Sequence, residues 1–258
     1  MKQGRPDPYI LATVSKALEI LDLFGNVHDG LSLTQIAEAT QLPKSSIFRY
    51  LATLEEFNYL ERDEKTERYH LGLKLLQLGA LVAGRQDVRT IALPTMWQLR
   101  ESFGETVNLA IPRNDKVIYL EILESQEIVK MATHVGAEDS IHATALGKAI
   151  LAQLPLALVE KLLREPFARF TDYTITDMPT LFDQLEQIRQ QGYALDDREG
   201  NMQARCVGAA IFDYRGQAVA AISVSGPENR LTLARARMMG PVLAEASSQI
   251  STLLGYRH

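Results

Sequence analysis

Cys206 is the only cysteine in 258 residues, so no internal disulfide can form and a reducing compartment is expected. No apolar run approaches the ~18 residues of a membrane helix. The stretch 143–154 is the nearest to one, and Lys148 and Gln153 interrupt it. Residues 1–8 have no apolar segment behind Lys2 and Arg5, so no secretory leader is expected. The five histidines show no pairing at ligand spacing, and no G-x-x-x-x-G-K-[ST] loop is available for a nucleotide. Metal, cofactor and membrane are therefore all absent from the expected partners, and the expected location is the cytoplasm. Positive charge is also scarce: 27 Lys and Arg stand against 32 Asp and Glu, a net −5. Residues 1–84 do no better, with 9 against 11. Any contact with nucleic acid must rest on where the cations lie rather than on their sum.

What is present begins with 32–54. Ser32 and Gln35 have the spacing of a capping box, which starts a short helix with Ile36 and Ala37 on its apolar face. Gln41-Leu42-Pro43 interrupts it, and Pro43 suits the first turn of the next helix. There Ile47, Leu51 and Leu54 form one apolar stripe. Lys44, Ser45, Ser46, Phe48 and Arg49 occupy the other face, close to the helix N-terminus, where a recognition helix meets bases and phosphates. The pair reads as a DNA-binding helix-turn-helix, with Thr34 at its first helix. A plain helix pair with a solvated polar face is the competing reading.

The surroundings favour the first. Val14, Ala17, Leu18, Leu21 and Phe24 predict a preceding helix, ended by Gly25 and Gly30. Tyr59–Arg62 and Arg68–Leu71 predict two short strands around a polar turn, a wing bearing Arg62, Lys65 and Arg68, or else an exposed charged loop. Leu73–Val82 predicts a leucine-rich helix that packs on the wing or on a second subunit. A domain joint is expected at Gly84–Asp87. A further helix runs from Val88 to Phe103, kinked or ended at Pro94.

After Gly104 strands are expected at 106–111, 117–123 and 128–134, helices at 144–154, 157–164 and 181–191, strands at 193–196, 207–212 and 219–225, and a last helix near 231–254. This order describes an α+β, antiparallel-sheet sensor domain. The divisions are a flexible arm 1–9, a winged helix-turn-helix 10–72, linker helices 73–103 and an effector domain 104–258.

Four features of the second half could carry chemistry. His142–Ala149 opens a helix with small residues, suited to an anion at exposed amides or simply to close packing. Asp196–Asn201 leaves a strand as a charged loop, which a solvated turn also explains. Cys206, beside Arg205, is either a small core residue or a nucleophile. Ser223 and Ser225 share one strand face and could line a cavity.

Taken together, Leu33–Leu54, Ile141–Ala149, Gly192–Asp197, Arg205–Asp213 and Ile222–Pro227 resemble the IclR family of bacterial transcriptional regulators. The resemblance runs in order from about Ile10 to Gly255. It implies a winged helix-turn-helix, a linker helix and a GAF/PAS-like effector domain, acting as a homodimer or homotetramer on double-stranded operator DNA. It further implies a small carboxylate effector, held by amides at Ala145 and Leu146 and by Asp196 and Cys206; Ser223, from the strand-face reading above, joins them as an expected effector residue. Leu146 narrows a site that often has smaller pairs, and Phe48 stands where the family often has His. The expected function is a DNA-binding regulator, a repressor rather than an activator, and not an enzyme. The alternative is a cysteine-dependent hydrolase built on Cys206 and His142, with an accessory DNA-binding arm.

Overall fold

The computed structural model describes residues 9–25, 27, 29–84 and 87–257. The expected arm therefore lies, apart from Tyr9, outside the described residues, as does part of the expected joint. The chain divides into two units, Met1–Arg85 and Gln86–His258.

The first unit holds α1 (Ala12–Asp22), α2 (Leu33–Thr40) and α3 (Lys44–Glu56), then a ribbon of β1 (Leu60–Arg62) and β2 (Tyr69–Leu71), and α4 (Leu73–Gly84). The capping box forms as the spacing predicts: Gln35 N donates to Ser32 Oγ at 3.3 Å, and Ser32 N to Gln35 Oε1 at 2.9 Å. Gln41 then turns left-handed at φ 56° and Pro43 caps α3. Ile36, Ile47, Leu51 and Leu54 close on Ile20, Phe24, Leu60 and Tyr69. Burying each aliphatic side chain is worth roughly 1.5–3 kcal/mol, which holds three short helices that would not persist alone. The wing is antiparallel, Leu60 opposite Leu71 and Arg62 opposite Tyr69. Helix α4 is tied to it through Gly72 N on the Tyr59 carbonyl. Leu73, Leu76 and Leu81 of α4 remain exposed.

The second unit begins with α5 (Asp87–Phe103), which passes through Pro94. Pro94 is exposed, while Val88, Ala92, Met96 and Leu99 are buried; packing of that face sustains the helix past its missing N–H. The strands are β3 (Thr106–Arg113), β4 (Lys116–Leu123), β5 (Glu138–Ser140), β6 (Ala194–Asp197), β7 (Ala204–Phe212) and β8 (Ala218–Pro227). They form one antiparallel sheet in the order β5-β4-β3-β8-β7-β6. The strand expected at 128–134 does not exist. That stretch has no regular structure, and the edge strand is the polar trio Glu138–Ser140 instead.

Alternation along the strands gives each face its own core. Val107, Leu109, Val207, Ala209, Ile222 and Val224 pack against α5 and α9 (Leu233–Leu253). On the other face lie α6 (Ala145–Leu151), α7 (Leu156–Leu162) and α8 (Met178–Gln191). There Ala110, Ala194, Ala210 and Ala221 are small, and Gly208 is smaller still. A Cβ on Gly208 would meet the Ala145 carbonyl carbon and oxygen at 2.7 Å, so α6 lies almost on the strand. At the far end of α5, Glu105 is buried and receives Arg230 Nε and Nη2, each at 2.7 Å, and Arg235 Nη1 at 3.0 Å.

Candidate functional site

On the first unit, the core stripe of α3 turns Lys44, Ser45, Phe48 and Arg49 outward. Thr34 on α2 is exposed beside them, and Thr34, Phe48 and Arg62 share one shallow cleft. The side chains of Lys44 and Arg49 have no hydrogen bond or ion pair among the described residues. Both cations are therefore available to an external anion. The wing is more occupied. Arg62 pairs with Glu67 at 3.0 Å, and Arg68 Nη1 donates to the Gly30 carbonyl at 2.9 Å, bracing the wing against the loop before α2. Lys65 is exposed at a turn that Asp63 Oδ1 closes by accepting from Lys65 N at 2.8 Å.

On the second unit, one polar row crosses four strands on the face covered by α6. Asn108 stands opposite Ser223, Ser225 opposite Cys206, and Cys206 opposite Asp196. All five line a cavity of about 430 Å³, together with Ala145 and Leu146 from α6. Every effector residue expected from the sequence thus lines one space, though the sheet and α6 draw them from positions as far apart as 145 and 223. The N-cap Thr144 Oγ1 accepts from Gly147 N at 3.1 Å, and the amides of Ala145 and Leu146 lie within that capped turn.

The electrostatics differ from residue to residue. Burial pushes the Asp196 carboxyl up to about 7, against the pull of Lys148. Its Oδ1 accepts from Glu199 N at 2.7 Å. Lys148 is fully buried, donates to Gln184 Oε1 at 2.8 Å and forms a short ion pair with Glu199 Oε1. Burial, with Asp196 alongside, also pushes the Cys206 thiol well up. Tyr119, likewise in the lining, donates to Asp139 Oδ2 at 2.8 Å. The loop Asp196–Asn201 is thus no solvated turn, since Asp196 and Glu199 are both buried.

Asn108 in the lining, and the Lys148–Glu199 pair that acts on Asp196 from behind it, are not among the residues expected from the sequence. A lone carboxamide within the apolar run 106–111, and a lone lysine among small residues at 143–152, are the signals that mark them.

Two family models match the chain: the IclR helix-turn-helix domain over residues 13–64, and the bacterial transcriptional regulator IclR C-terminal over residues 80–252. The chain belongs to the IclR family. Among its curated relatives is the HTH-type transcriptional regulator BhcR of Paracoccus denitrificans, 37% identical over 249 residues, 96% of this chain and 89% of that one. The HTH-type transcriptional repressor AllR of Escherichia coli is 34% identical, over 95% of this chain and 90% of its own. Among solved structures, IclR of Thermotoga maritima superposes with a TM-score of 0.77 at 33% identity, covering 95% of this chain and 99% of that one. An IclR homolog from Microbacterium hydrocarbonoxydans, complexed with 4-hydroxybenzoate, gives 0.81 at 25% identity, covering 94% and 99%. This IclR-family protein is a DNA-binding transcriptional regulator, with a helix-turn-helix unit and a mixed helix-and-sheet unit. Among the described residues no helix is long and apolar enough to cross a membrane.

Proposed function

We propose that this regulator is a repressor whose hold on double-stranded operator DNA is released by a small carboxylate bound in the second unit. The working division is 10–72 for DNA contact, 73–103 for linker helices and 104–258 for the effector. The observation that carries the reading is the 430 Å³ cavity crossed by the Asn108–Ser223–Ser225–Cys206–Asp196 row. Amides of Ala145 and Leu146 and the serine hydroxyls supply donors for a carboxylate, and Asp196 supplies a polar contact for the remainder. The 4-hydroxybenzoate in the Microbacterium homolog is a monoacid with a hydroxyl, and this donor set suits that class better than a dicarboxylate.

On DNA, Thr34, Lys44, Ser45, Ser46, Phe48 and Arg49 meet the major groove, with Arg62, Lys65 and Arg68 on the wing side. Of the cations among these, Lys44, Arg49 and Lys65 have no side-chain hydrogen bond or ion pair among the described residues. So small a basic footprint calls for two copies, their recognition helices roughly 34 Å apart on a pseudo-palindrome. A homodimer or homotetramer satisfies this.

The hydrolase reading fares worse. A thiol whose pKa is pushed up by burial is a poor nucleophile. His142 does not line the cavity; its Nε2 sits 3.0 Å from the Ala168 carbonyl, and burial lowers its pKa.

The test is calorimetry on the full-length wild type and Asp196→Ala with glycolate, gluconate and 4-hydroxybenzoate, with operator release followed by fluorescence anisotropy. At least one acid should bind the wild type and release operator, and Asp196→Ala should hold operator without responding. A preference for neutral sugars or amines, or a normal response from Asp196→Ala, overturns the assignment.

A further inference from the structure

Strand β3 is buried on both faces, a setting in which branched apolar residues are usual and a carboxamide needs partners. Asn108 is 3% exposed there. Its Nδ2 donates to Ser223 Oγ at 3.2 Å and to Ser225 Oγ at 2.9 Å. Its Oδ1 is buried and has no partner among the described residues. A carboxamide oxygen can accept two hydrogen bonds, and a buried acceptor that no protein group meets is open to a donor on a ligand. Asn108 and both serines belong to the cavity lining.

The neighbours cannot meet the need. Each serine oxygen already accepts from Nδ2, and its hydroxyl hydrogen remains for an acid group. Asp196 has its acceptor capacity partly filled by the amides of Glu199 and Gly200. At the sheet wall of the cavity, donors for an anion therefore lie beside one unfilled acceptor.

We propose that Asn108 is a specificity-determining residue of this cavity. Its Oδ1 accepts a hydrogen bond from a hydroxyl or N–H of the effector, so that acids bearing such a donor are selected over acids that bear none. The assignment rests on the carboxylate reading above and adds to it the group that tells one acid from another. A site built to bond a polar hydrogen rejects the analogue lacking it, because the buried partner is then left unmet.

Two probe series separate the possibilities on the full-length protein: glycolate, methoxyacetate and acetate; and 4-hydroxybenzoate, 4-methoxybenzoate and benzoate. A methoxy group accepts but cannot donate. In at least one series the wild type should bind the hydroxy acid about tenfold or more tighter than both its analogues. Asn108→Leu has a similar shape without the acceptor, and the ratio should fall to within about twofold. Its melting temperature and operator affinity report whether it folds. Should it not, Asn108→Asp keeps an acceptor and adds charge, so it should bind every acid more weakly while retaining the hydroxy preference. Methoxy acids binding as well as hydroxy acids, a preference that survives in Asn108→Leu, or one that vanishes in a folded Asn108→Asp overturns the role of Asn108 alone. If no acid of either series binds the wild type, the carboxylate reading falls and this assignment with it.

Discussion

Asp196 and Asp197 are adjacent in sequence, yet their carboxyls are driven in opposite directions. Asp196 faces the cavity, where burial pushes it up to about 7. Asp197 faces the other way, and despite some burial Arg205 and Arg198 hold it below the usual range, Arg205 Nη2 lying 2.7 Å from Oδ1. A one-residue step along a strand separates them, as the period of two requires.

That contrast gives stability a pH dependence. An unfolded aspartate titrates near ~3.9, so between that value and about 7 the folded chain holds a proton that the unfolded chain does not. The contribution is fully present below the unfolded value and is lost as pH rises through the folded one. Wild-type protein should therefore lose melting temperature relative to Asp196→Asn as pH is raised from about 4 to about 8. Thermal melts across that window check it; a difference that stays flat or runs the other way counts against the raised carboxyl.

The Lys148–Glu199 pair should behave as a buried couple. Lys148→Met leaves a carboxylate stranded in the interior and should cost about 3–5 kcal/mol. Lys148→Met combined with Glu199→Leu should recover a good part of that loss. Chemical denaturation of the single and double variants decides; a double variant no better than the single shows that the pair is not the source.

Gly208→Ala should destabilise by about 1–3 kcal/mol and remove effector binding, because the new methyl meets α6 backbone that has nowhere to go. Gly79→Ala is the control. It sits inside α4 with nothing within 4 Å of the added Cβ, and it should stabilise by up to about 1 kcal/mol. Equal effects at the two glycines would contradict the close approach of α6 to β7.

Arg49→Ala should weaken operator binding about tenfold or more, a base-reading contact being worth roughly 1–3 kcal/mol. The melting temperature should stay put, since Arg49 is exposed and off the Ile47–Leu51–Leu54 stripe. An anisotropy titration with unchanged affinity would remove α3 from the DNA contact.

The parts of the fold that could be read from sequence are those where one local signal suffices. Ser32 with Gln35, and Pro43 before the Ile47 stripe, announce two helices without any tertiary context, and both form. The segment 128–134 misled because Ile128, Val129 and Met131 look like strand material; Ile128 is 99% exposed and pairs with nothing in the sheet. Strand β5 was invisible for the converse reason. Three polar residues at a sheet edge carry no apolar alternation, and only their pairing to Lys116–Ile118 makes them a strand. Pro94 does not end its helix, because the buried face Val88–Ala92–Met96–Leu99 carries α5 past it. In the cavity, Ala145, Leu146, Asp196, Cys206 and Ser223 sit in stretches with a local signal, whereas Asn108 is marked only by the serines that stand across the sheet from it.

Glu105 has one more consequence. A single carboxylate serves two guanidinium groups drawn from the segment before α9 and from its first turn. Gly226 keeps room for it, since a Cβ there would come within 2.6 Å of Oε2. Dependence within this trio is lopsided. Either arginine can drift to another residue type and leave the acid one partner, but a change at Glu105 takes the carboxylate from both cations at once, leaving Arg235 only the carbonyls of Phe103 and Arg230. The hub is the position that sequence drift can least afford to touch, and Gly226 shares its constraint without carrying any charge.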